Sequence, residues 1–132
     1  MRLLGVAVTV VLALGGTSHS RIDMTAAVGS SSAGLHTVHA TLRCDGSQAH
    51  GTGVLEHRAK RACRFVGSDT FARLVRKLGH PGDRACSQIY GGPQRARIRG
   101  RVRGQRFDVT VTRTDGCGTS EWQALRLSLI HI

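Results

Sequence analysis

The sequence predicts a mixed fold of helices and antiparallel strands, on three observations: an alternating stretch at residues 35–43, two successive stretches of helical period, at 54–66 and from Phe71 to Leu78, and an alternating pair at 95–112 joined by a glycine turn. Four cysteines in 132 residues add a fourth constraint, because a small domain with a limited core commonly needs covalent help.

The chain begins with Arg2 and the apolar run Leu3 to Leu14, then reaches small residues ending at Ser20. That pattern is expected to be a secretory signal over residues 1–20, cut after Ser20, and the protein is expected to be secreted and extracellular. The run is shorter than the roughly 20 apolar residues that span a bilayer, so no membrane association is expected after processing. Residues 21–34 are small and polar and are expected to be a flexible N-terminal segment, leaving a single domain over 35–126.

Val38, Ala40 and Leu42 alternate with Leu35, Thr37 and His39 in a strand that enters a turn at Cys44-Asp45-Gly46-Ser47. His36 and His39 read as solvated or packed strand residues rather than ligands. Leu55, Ala59, Ala62, Cys63 and Val66 line one face of a helix over 54–66, with Glu56, Lys60, Arg61 and Arg64 facing water. Gly67 interrupts it, Ser68 or Asp69 caps a second helix, and Phe71, Leu74, Val75 and Leu78 form its apolar face before Gly79. His80-Pro81-Gly82-Asp83 makes a turn into Cys86-Ser87-Gln88-Ile89-Tyr90-Gly91-Gly92-Pro93, a stretch of turn formers suited to an exposed loop.

Arg95, Arg97, Arg99, Arg101 and Arg103 then alternate with Ala96, Ile98, Gly100 and Val102, which makes a strand with one basic face. A two-residue turn at Gly104-Gln105 predicts a hairpin in which Arg103 pairs with Arg106, Val102 with Phe107, Gly100 with Val109 and Ile98 with Val111. A slip of one residue would bury arginines. The basic face is either a solvated sheet surface or a polyanion or nucleic-acid surface, although it holds no aromatic residue on which bases could stack.

The formal net charge is +11 at pH 7. Acidic partners are one explanation. The other is GC-rich coding, since 17 of the 19 basic residues are Arg and Asn is absent. Four exported cysteines predict two disulfides, and the three possible pairings stay open at this level. No C-x-x-C pair or local Cys/His pair supports zinc, so no metal and no cofactor is expected. No G-x-S-x-G, H-E-x-x-H or Gly-rich phosphate loop is present, and no catalytic residue is expected; the chain does not read as an enzyme.

Cys86-Ser87-Gln88-Ile89-Tyr90-Gly91-Gly92-Pro93-Gln94, the hairpin turn Arg103-Gly104-Gln105-Arg106, then Arg113-Thr114-Asp115-Gly116-Cys117 and Glu121-Trp122, resemble the Streptomyces subtilisin inhibitor family of secreted serine protease inhibitors. The resemblance runs from about Leu35 to Leu125. It implies an α+β fold, with an antiparallel sheet of about five strands and two helices packed on one face. It also implies disulfides Cys44–Cys63 and Cys86–Cys117 and a homodimer. The reactive bond would be Gln88–Ile89 within a loop of Cys86, Ser87, Gln88, Ile89 and Tyr90, with Gln88 entering the primary specificity pocket of a secreted protease. An uncharged, unbranched Gln suits a subtilisin-like pocket better than a trypsin-like one. Asp115 stands where the family often has an Asn that supports the loop, and the family's Thr-His-Pro element between the first two cysteines is missing. The alternative function is a secreted basic module that binds polyanions through the arginine-lined face. The ending Leu127-Ser128-Leu129-Ile130-His131-Ile132 resembles the translation of a sequencing adapter and is expected to be a non-native tail, with a strand as the other reading.

Overall fold

The computed structural model describes residues 19–30, 32–82 and 84–130. At its centre lies a strand that the reading above did not foresee. β1 (His19–Ser30) carries Ile22, Met24, Ala26 and Val28 on one face, each no more than 1% exposed. The flexible segment expected over 21–34 is thus corrected: residues 21–30 lie in the middle strand and Gly34 opens the next one, so the domain extends ahead of residue 35. The cut expected after Ser20 falls inside β1, between Ser20, paired with Cys44, and Arg21, paired with Arg43. Residues 1–18 of the expected signal lie outside the described residues. Alternation was present in β1, but its side chains are mostly small, and a strand flanked on both sides needs little bulk to be held.

β2 (Gly34–Asp45) and β4 (Arg95–Val102) flank β1, and β3 (Gln48–Gly51) and β5 (Gln105–Thr112) form the edges, in the order β3-β2-β1-β4-β5. Every pairing is antiparallel, so the α+β class and the five-stranded sheet agree with expectation. One sheet face supplies the core: Ile22, Met24, Ala40, Leu42, Ile98, Val109 and Val111 are all buried there. The helices pack on that face and leave the opposite one open.

The expected single helix over 54–66 is broken. A 3-10 turn (Gly53–Leu55) precedes α1 (Ala59–Val66), and Gly53 takes φ +62° where an added Cβ would strike the His39 carbonyl. α2 (Asp69–Gly79) follows expectation, with the Ser68 hydroxyl accepting from the Phe71 amide at 3.3 Å. Such a cap contributes about 1 kcal/mol. Phe71 meets Phe65 of α1 and Phe107 of β5 edge-on, with centroids 5.4 and 5.6 Å apart, which ties both helices to the sheet.

A third helix, α3 (Gly116–Leu125), corrects the expectation of two. Its opening Gly116-Cys117-Gly118 has poor helix propensity, which concealed it. The Asp115 carboxylate starts it by accepting from the Gly118 amide at 2.8 Å. α3 runs on into a π-helical turn (Arg126–Ile130) that buries Leu129, so the described part of the expected tail forms no strand and joins the core.

The hairpin register differs from expectation by two residues. Val102 pairs with Gln105, Arg101 with Arg106, Gly100 with Phe107 and Ile98 with Val109. The turn residues are Arg103 and Gly104, at φ +51° and +78°. Both central residues of a type I′ turn need positive φ, and Gly104 meets that need at the second position. The Arg103 guanidinium donates to the Gly67 carbonyl, which helps hold a conformation unusual for a non-glycine residue. A shift of two preserves side-chain facing, so the apolar and basic faces are those expected.

Candidate recognition loop

Between α2 and β4 no described residue is helical or in a strand. From Arg84 to Gln94 the segment is nevertheless tied down at several points. Arg84 forms an ion pair with Glu121, which is only 7% exposed on α3. Two residues on, Cys86 bonds Cys117 in the first turn of α3, with Cα atoms 5.4 Å apart. The other disulfide joins Cys44 of β2 to Cys63 of α1, so the sequential pairing that the resemblance implied is the one present.

Past Cys86 the chain is held by its backbone. The Gly116 amide donates to the Ser87 carbonyl at 2.9 Å, and the Gly91 amide donates to the Arg113 carbonyl at 2.7 Å. Gln94 closes the far side, its amide nitrogen donating to the Gly29 carbonyl at 2.5 Å and its oxygen accepting from Arg113 Nη1 at 2.9 Å. Gln88, Ile89 and Tyr90 form the span between the two backbone clamps.

That span projects outward, with Ile89 73% exposed and Tyr90 62% exposed. The two exposed side chains are adjacent in sequence and sit at the tip of the span. The Gln88 side chain turns back, its amide nitrogen donating to the Cys86 carbonyl at 3.2 Å. Close approach underlies the clamps: an added Cβ on Gly116 would lie 2.0 Å from Ser87 Oγ, and one on Gly91 would lie 2.3 Å from Thr119 Oγ1.

All five expected loop residues, Cys86, Ser87, Gln88, Ile89 and Tyr90, lie together on one stretch anchored at Cys86, Ser87 and Gly91. Asp115 acts differently from expectation. Among the described residues its side chain makes no hydrogen bond to the loop; it caps α3 and thereby aims the Gly116 amide at Ser87. Loop support comes instead from the backbone of Arg113 and Gly116 and from Arg84, Gln94 and Glu121; the sequence assigned none of them a supporting role, although all but Arg84 stand in the motifs that carry the resemblance. Gly116, set between the capping Asp115 and the cysteine that bonds the loop, was the available signal.

The ligand atoms of Cys86, Asp115 and Cys117 lie within 4.8 Å of one another, a spacing a metal would accept. Both sulfurs are spent in the disulfide, and a zinc-type ligand must be a free thiolate, so this cluster is not a metal site. The region thus exposes the Gln88-Ile89-Tyr90 span between two backbone hydrogen bonds and a disulfide, with Arg84 and Arg113 beside it. Compared with known proteins, the chain matches no family model, no curated protein and no solved structure.

Proposed function

We propose that the chain is a secreted inhibitor of subtilisin-like serine proteases that presents Gln88–Ile89 as a slowly cleaved, readily re-formed bond. The observation that carries this reading is the exposed Gln88-Ile89-Tyr90 span held between the Ser87 and Gly91 backbone clamps and the Cys86–Cys117 disulfide. Fixing one residue's backbone costs about 1–2 kcal/mol, so a loop ordered over four residues removes roughly 4–8 kcal/mol from the cost of binding. Two disulfides support an oxidising, extracellular setting.

In this mechanism the loop docks as a substrate would, with Gln88 in the primary pocket and Ile89 and Tyr90 beyond the scissile bond. The protease serine oxygen bonds to the Gln88 carbonyl carbon, and the Ile89 amine leaves after taking a proton. Clamped on both sides, that amine stays beside the acyl group and attacks it again, which restores the peptide and frees the serine. Water has little time to intervene.

The test is inhibition of subtilisin and trypsin by the purified, oxidised protein. Tight inhibition of subtilisin, weaker inhibition of trypsin and loss of both on Gln88→Pro are expected; inhibition of neither enzyme by the intact protein would refute the proposal. Gln88 must also release its bond to the Cys86 carbonyl to enter a pocket. Gln88→Met, similar in length and without that bond, is expected to tighten subtilisin inhibition several-fold.

A further inference from the structure

The face of the sheet turned away from the helices carries a feature that inhibition does not use. Register places Arg43 opposite Arg21, Arg21 opposite Arg101, and Arg101 opposite Arg106, so four neighbouring strands each contribute an arginine to one row. All four are exposed, and among the described residues none forms a salt bridge. Like charges directly opposite one another on a sheet are destabilising, and here three such pairs are consecutive.

The neighbouring rows are not built this way. Arg99 sits between Asp23 and Asp108, and Asp108 accepts from Arg97 at 2.9 and 2.5 Å. Asp45, beside the row, is engaged by His19 at 2.7 Å. The acidic groups of this face are thus engaged mainly by other cations: Asp45 feels Arg43 as well as His19, but among the described residues no carboxylate forms a salt bridge with the four-arginine row.

We propose that this open face binds the phosphate backbone of double-stranded DNA, centred on Arg43, Arg21, Arg101 and Arg106. At about 4.8 Å between strands the row is roughly 14 Å long. Duplex DNA carries a charge about every 1.7 Å of its axis, enough to meet all four guanidinium groups, and guanidinium matches phosphate in a bidentate fork. Among the described residues, the exposed positions of β1, β2, β4 and β5 on this face hold no Phe, Tyr or Trp. It therefore lacks the large aromatic platforms on which single strands stack, and its guanidinium row meets the backbone independently of sequence. A second copy laid on this face would meet charge of its own sign.

The row lies at the hairpin end of β4, six residues from Arg95 and about 20 Å along the strand from the loop end. Both surfaces can be occupied together.

The experiment measures binding of the oxidised protein to a 20-base-pair duplex at several salt concentrations. Four phosphate contacts predict a slope of log affinity against log salt of about −3 to −4, or a ~100-fold loss from 50 to 200 mM. Arg21→Gln, Arg43→Gln, Arg101→Gln and Arg106→Gln together should abolish binding, and each alone should flatten the slope by about 1. The charge-matched control, with Arg61, Arg64, Arg73 and Arg76 changed to Gln on the exposed sides of α1 and α2, should bind within a few-fold of the unaltered protein.

Equal loss in the control, a slope near zero, or retention of heparin without retention of duplex DNA would each overturn the proposal. So would a dimer, seen by sedimentation, that the four-arginine variant dissolves and duplex DNA does not. Gln88→Pro should leave DNA binding intact, and the four-arginine variant should leave protease inhibition intact, which separates failure of this site from failure of the inhibitor reading.

Discussion

The two disulfides close comparable lengths of chain, 19 and 31 residues apart in sequence, yet they hold different things. Cys44–Cys63 joins two elements that are already packed, β2 and α1, and Cys44 is itself part of the core. Cys86–Cys117 joins a segment without secondary structure to the first turn of a helix. In the first case the bond adds to a core that would exist without it; in the second it substitutes for one. A covalent bond of the same type thus joins two core elements at one place and anchors an exposed loop at the other.

The largest expected effect follows from removing each bond in turn. Replacing Cys86 and Cys117 by Ser should weaken protease inhibition at least 100-fold and let the protease cut at Gln88–Ile89, measured as an inhibition constant and by mass spectrometry of the products. Replacing Cys44 and Cys63 by Ser should lower unfolding stability by about 3 kcal/mol while leaving inhibition within a few-fold, at a temperature where the variant stays folded. Equal losses of inhibition in both variants would erase the distinction.

Gly116→Val asks whether the backbone clamp matters with the disulfide intact. Its side chain would press on Ser87, where an added Cβ already lies 2.0 Å from Oγ and 3.2 Å from the Ser87 Cβ. Inhibition should fall about tenfold, the equivalent of ~1.4 kcal/mol, with a smaller change in denaturant midpoint. Asp115→Ala removes the α3 cap and should cost about 1 kcal/mol of stability together with a several-fold loss of inhibition. Asp115→Asn can still accept from the Gly118 amide and should retain both.

The amount of this that the sequence disclosed depended on where each position gets its order. α2 was legible because a serine cap, an apolar stripe and a terminal glycine agree with one another. β4 and β5 were legible in facing but not in register, because alternation fixes which side a residue takes and is blind to a shift of two. Only the φ values of Arg103 and Gly104 distinguish the two turns. β1 carried its signal in Ile22, Met24, Ala26 and Val28, but small neighbours and its place next to an expected cleavage point hid it. The loop residues were readable from Cys86 and the turn formers around them. Their supports were not, since Arg113 and Gly116 act through backbone atoms and Glu121 through a partner 37 residues away.

The smallest effect concerns acid. Hydrogen bonding to Arg97 holds the Asp108 carboxyl below its ordinary value, and hydrogen bonding to His19, aided by Arg43, does the same for Asp45. A depressed carboxyl contributes stability that is present above its unfolded value near 4 and is lost as pH falls through the folded value. Both groups are exposed, so urea midpoints between pH 5 and pH 2 should fall slightly less in Asp108→Asn than in the unaltered protein. This dependence belongs to the open face and should leave the loop clamps untouched.

The most direct measurement of the account is backbone amide relaxation across residues 87–91 in the oxidised, unbound protein. Order parameters near 0.85, with slow hydrogen exchange at the Gly91 and Gly116 amides, are the expected result. Order parameters below about 0.6 across Gln88–Tyr90, or free exchange at both amides, would contradict a loop shaped before any protease arrives.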